Sequence, residues 1–203
     1  MTDTTETKRQ RGRKVAAILA GGLVLGVGTM ATLAAWNDTE VATGTFTAGR
    51  FNMQGSADKG TTWADNTTAP GAALSFSTPF NNLQPGSTVY STYQVRLAAN
   101  TTNDATVALA ATSGGSVGGL TYQLATVASS TCDDAALSAG TTLVPAGTTV
   151  GTASASTFNL TKGTPTTSAG ATVNLCFKVT AGAITQGQTG TGTWTFTATS
   201  SAS

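Results

Sequence analysis

The chain has 203 residues, only 9% of them charged, and it contains no histidine. Without histidine it lacks the usual general base near neutral pH and the commonest transition-metal ligand. No Ser–His–Asp triad, Cys–His dyad or H-E-x-x-H zinc site can therefore form within it. Half of the ten basic residues lie within residues 8–14, and beyond Ala35 five basic residues stand against seven acidic ones, a net charge near −2. That balance supplies no cationic cluster for a polyphosphate, and it excludes nucleic-acid binding.

Taken in chain order, residues 1–7 are polar and residues 8–14 read K-R-Q-R-G-R-K, a basic n-region. An apolar h-region follows over residues 15–34 and ends in small side chains. Thr32 and Ala34 suit positions −3 and −1 of a cleavage site, which predicts a cut between Ala34 and Ala35. The uncharged run over 15–35 is also long enough to span a bilayer, so a retained anchor is the competing reading. Six glycines and threonines dilute it, and its small-residue end favours cleavage. In both readings the rest of the chain lies outside the cytoplasm, secreted or at the cell surface, because the basic flank stays inside. The membrane is met only through the uncleaved segment. The C-terminal T-W-T-F-T-A-T-S-S-A-S reads as neither a sorting motif nor an apolar tail.

After Ala35, Thr, Ala, Gly and Ser dominate, and the recurring pattern is alternation by two. Over 88–98, Val89, Tyr93, Val95 and Leu97 share one face, with Thr92, Gln94 and Arg96 opposite. Over 171–180, Val173, Leu175, Phe177 and Val179 oppose Thr172, Asn174, Cys176 and Lys178. Over 191–199, Trp194, Phe196 and Ala198 alternate with an all-threonine face. Shorter strands are expected at 43–53, 73–80, 106–111, 120–127, 141–144 and 156–160, separated by glycine-rich turns. Threonine suits a pleated, half-exposed surface, and no window leaves room for a crossover helix. The fold class expected is all-β, an antiparallel β-sandwich over 35–203 preceded by the signal-peptide helix of 1–34.

Cys132 and Cys176 make an even count in a chain read as exported, so a disulfide is expected, against the alternative of two buried thiols. Cys176 falls on the polar face of its strand, so the bridge would clip the S-S-T-C-D-D stretch to the outside of the sheet. A redox role would want a C-x-x-C spacing. Asp133 and Asp134 could serve a calcium ion, but a lone acidic pair lacks the spaced ligand series of a calcium loop. Trp63, flanked by Asp58 and Asp65, is the best candidate for stacking on a sugar ring, and its competing role is to cap the core. N-x-T sequons occur at Asn37, Asn66, Asn100 and Asn159. No catalytic residue, metal or cofactor is expected.

The junction over 34–53, A-A-W-N-D-T-E-V-A-T-G-T-F-T-A-G-R-F-N-M, resembles the start of proteins exported through the SipW-type signal peptidase, the TasA/camelysin family. Trp36, Asn37 and Asp38, then Thr45, Phe46, Gly49 and Phe51, carry the match. N-N-L-Q-P-G-S-T-V over 81–89 is similar to the family's N-L-x-P-G-D turn, with Ser87 in place of Asp. The resemblance implies a jelly-roll-like sandwich, a SipW-type peptidase as partner, and a place at the cell surface or in a biofilm matrix. Some relatives polymerise by donating an N-terminal strand. Here Trp36, Asn37, Asp38 and Phe46 would lie in that donor segment, giving a homopolymer. Camelysin's metallopeptidase activity does not carry over to a chain without histidine. The function expected is a secreted, non-enzymatic structural protein or fibre subunit, with a carbohydrate-binding or adhesive surface module as the alternative.

Overall fold

A computed structural model describes residues 11–19 and 38–201 of the chain. Residues 11–19 form an exposed helix, α1, which carries Val15, Ile18 and Leu19. The rest of the apolar run, the cleavage pair Ala34 and Ala35, and the donor residues Trp36 and Asn37 lie outside the described residues. Among those described, no helix is long and apolar enough to cross a membrane. The chain divides into two units, Met1–Phe46 and Thr47–Ser203, and every strand among the described residues belongs to the second.

That unit is an antiparallel β-sandwich. β1 (Met53–Ser56), β2 (Thr88–Leu97), β7 (Val173–Ala181), β4 (Leu120–Val127) and β5 (Thr141–Thr149) form one sheet, in that spatial order. β6 (Ser154–Leu160), β3 (Ala105–Gly115) and β8 (Gly190–Ser200) form the other. The chain changes sheets repeatedly, so most neighbours in a sheet are distant in sequence; β2, for instance, pairs with β7 from Thr88↔Thr180 to Val95↔Val173.

The period of two decides which side chains meet between the sheets. Val89, Val95 and Leu97 of β2 pack with Leu175, Phe177 and Val179 of β7, Tyr122 and Leu124 of β4, and Val107 and Leu109 of β3. Trp194 and Phe196 of β8 reach the same core, with the Phe177 ring 4.9 Å from Trp194 and 6.4 Å from Phe196. Tyr122 keeps its hydroxyl satisfied by donating to the Thr152 carbonyl at 2.6 Å. A buried phenol needs such a partner, because an unpaired hydroxyl in apolar surroundings costs about 1–3 kcal/mol.

The predicted strands at 88–98, 106–111, 120–127, 141–144, 156–160, 171–180 and 191–199 are all present, some of them longer than expected. Two are not. Residues 43–52 form no strand, and β1 begins only at Met53, where Leu97 offers a partner. Residues 73–80 run beside β2 without a ladder: Ser77 N donates to Tyr90 O, Tyr90 N to Ser77 Oγ, and Ser91 Oγ to Ser75 O. Serine hydroxyls make two of these three bonds in place of main-chain partners. A short helix, α2 (Asp134–Ala139), was not anticipated; the Asp133 carboxylate caps it by accepting from Ala136 N at 2.7 Å.

Cys132 and Cys176 are bonded, with their Cα atoms 5.1 Å apart, as expected. The bridge lies on the outer side of the five-stranded sheet. There Cys176, Ala125 and Leu137 form a small second core with Tyr90, Val127 and Cys132. The cysteines are 44 residues apart, and closing a loop of that size stabilises the fold by about 4 kcal/mol in the chain-entropy account. Replacing both cysteines by alanine should therefore lower the unfolding free energy by about that amount in a urea titration. An unchanged midpoint would mean the clip is energetically idle.

Candidate functional site

The candidate sugar-contact residues all lie in the segment after β1, which folds over the outer end of the five-stranded sheet. Ser56 is buried and anchors the turn: its Oγ donates to Asp58 Oδ1 at 2.7 Å and accepts from Gly60 N at 2.8 Å. Thr62 closes it from the far side, with N donating to Asp58 Oδ1 at 2.9 Å and Oγ1 to Oδ2 at 2.5 Å. Gly60 sits at φ +84°, a backbone conformation that favours glycine.

This geometry brings Trp63 down onto the sheet. Its indole nitrogen donates to Gly60 O at 3.1 Å, and the Arg96 guanidinium lies 4.0 Å from the ring centroid. A guanidinium over an indole face is a favourable cation–π contact, stronger where water is excluded. Below it the polar residues are linked: Gln94, only 7% exposed, donates to Asn174 Oδ1 at 2.5 Å, and Asn174 reaches the Val127 carbonyl at 3.4 Å. Trp63 thus covers the polar face of β2, and one face of its ring is occupied by Arg96.

The two carboxylates do not converge on that ring. Asp65 accepts both contacts of the Asn52 amide, at 3.1 and 3.2 Å. Asp58 lines a shallow cleft with Ser56, Thr62, Asn66, Ala73 and Ser75, and neither Trp63 nor Asp65 lines it. The Thr62 hydroxyl above all, with Thr62 N and Ser56 Oγ, lowers the Asp58 pKa from 3.8 to about 2. A general acid needs the opposite shift, so Asp58 is a poor proton donor.

The second acidic pair is also committed to structure. Asp133 caps α2, and Asp134 pairs with Lys178 Nζ at 2.5 Å; that bond lowers the Asp134 pKa and raises that of Lys178. Among the described residues, no group of three or more His, Cys, Asp or Glu side chains could hold a metal ion. Phe46 is 96% exposed, and Asp38 is exposed as well, in a stretch without regular structure. Arg96, Gln94 and Asn174, the residues that organise the Trp63 region, were missed as a site. Only a cross-strand register between residues 80 apart joins Gln94 to Asn174.

No protein-family model matches the chain, and no curated protein matches it.

The Asp58 turn has a pH signature. A carboxylate whose pKa is lowered on folding adds stability that is fully present above pH 3.8 and is lost as pH falls toward about 2. Stability should therefore drop through that window in the wild type, and the drop should be smaller in Asp58→Asn. Urea midpoints measured between those two pH limits test this; identical profiles would remove the turn from the account.

Proposed function

We propose that this chain is an exported, non-enzymatic structural protein of the cell surface or extracellular matrix, assembling by donation of its N-terminal segment to another subunit. The observation that carries this reading is the stretch from Asp38 to Asn52. It forms no strand; Arg50 and Asn52 at its end accept from Thr102 N and Ala98 N, but the part before Gly49 presents Val41 at 81% exposure and Phe46 at 96%. Exposed apolar side chains on an unpaired, strand-prone segment are costly for an isolated chain and useful to one that adds a strand to a neighbour's sheet.

Three further features support it. The basic and apolar N-terminal segments have the order of an export signal. The Cys132–Cys176 bridge belongs to the chemistry of oxidising compartments. The junction around Trp36–Asp38 and Phe46 resembles the SipW-dependent, TasA-like group, in which strand donation is a mode of assembly.

Electron microscopy of the purified protein, with and without residues 35–47, provides the test. Filaments or ordered assemblies should form with the segment and disappear without it. Phe46→Ser should abolish them too while leaving the unfolding midpoint unchanged, because Phe46 is 96% exposed. A protein that stays strictly monomeric at high concentration would refute the reading.

A further inference from the structure

We propose that the open edge of β8 pairs antiparallel with β8 of a second copy of this chain, about a two-fold axis through Thr195. This interface is separate from the N-terminal segment and does not depend on strand donation.

Among the described residues, the one strand partner of β8 is β3, with unbroken register from Ala105↔Ser200 to Gly115↔Gly190. The other edge of β8 is therefore open over eleven residues, alternate ones turning main-chain donors and acceptors outward, with no charge, proline or bulge to blunt it. The remaining edges are protected. β1 is four residues long and bridged by Ala64. β5 carries Pro145 and shifts of register, and β6 is interrupted between Ala108 and Leu109 of its partner.

The inward side chains of β8 are also less fully buried than those of β3. Trp194, Phe196 and Ala198 point between the sheets and join the core, yet all three remain half-buried. Val107 and Leu109 on the neighbouring β3 are 0% and 5% exposed. A strand added beyond β8 would lie beside these half-buried side chains and add to their burial.

The partner follows from the sequence of the edge itself. Residues 191–199 read T-G-T-W-T-F-T-A-T, which is symmetric in residue class about Thr195. An antiparallel copy centred there sets Thr193 against Thr197, Trp194 against Phe196 and Gly192 against Ala198. Threonine meets threonine and aromatic meets aromatic, both favourable cross-strand pairs, and small Gly192 and Ala198 meet without a clash. Such self-complementarity is what a two-fold, isologous contact requires. The rival occupant, the segment over 38–52, carries Asp38, Glu40 and Arg50 and has no comparable symmetry.

The test uses the full chain carrying Phe46→Ser, so that strand donation cannot contribute. Sedimentation velocity should show a concentration-dependent dimer. Thr193→Lys with Thr197→Lys puts like charges opposite each other twice per dimer and should weaken it about tenfold or more. Thr193→Lys with Thr197→Glu should restore it, because position 193 of one copy faces 197 of the other. Thr193 and Thr197 are exposed, so at concentrations where all three proteins are monomeric they should share one unfolding midpoint. Thr195→Cys adds a thiol beside the Cys132–Cys176 bridge and should form a symmetric disulfide dimer on mild oxidation. A monomer at every concentration would overturn the proposal. So would a Lys/Glu variant as weak as Lys/Lys, or, with Phe46 intact, preferential cross-linking of Thr195→Cys to Thr45→Cys in a mixture.

Discussion

β7 is covered on both faces, and most of the structure depends on that fact. On the inner side, Leu175 and Phe177 are completely buried against the three-stranded sheet. On the outer side, Cys176 is equally buried beneath the segment that carries Cys132 and α2. Burying apolar area is the main favourable term in folding, and here one strand between β2 and β4 gathers it from two directions. The outer cover holds the disulfide, the Asp134–Lys178 pair and the capped α2. None of these would persist as a free loop.

The two sheets are therefore unequal. The five-stranded sheet has its outer face covered at one end by Trp63 over Arg96 and elsewhere by the disulfide-clipped segment. Among the described residues the three-stranded sheet has no such cover: Thr106, Ala108, Ala110 and Thr112 of β3 and the odd-numbered threonines of β8 form an uncharged outer face that is exposed along most of its length. The candidate carboxylates belong to the covered side, where hydrogen bonds hold them in structural roles. Among the described residues, the edge of β8 and the exposed stretch before Gly49 are the surfaces on which the proposed assembly rests.

The strands were legible because alternation by two is a local property, and the inward sets of β2, β7 and β8 match the residues that meet in the core. Pairing is not local, and the failures follow from that. Residues 43–52 have the composition of a strand but meet the chain after β2 only at Arg50 and Asn52, while residues 73–80 meet β2 through one main-chain bond and two serine hydroxyls. α2 is only six residues long, too short to show a helical period, although Asp133 before an alanine-rich run is a capping signal that could have located it. At the candidate site, Trp63 was found but its partner was not: Arg96 lies 33 positions away and reaches the ring only once β2 and the Asp58 turn are in place.

The claim that β7 holds the sandwich together can be tested residue by residue with native-state hydrogen exchange. If it is right, the amides of Leu175, Cys176 and Phe177 exchange only through global unfolding, with the same opening free energy as denaturant titration gives, and those of α2 open at a clearly lower cost. Exchange of the β7 amides through local opening, while β3 stays protected, would contradict it.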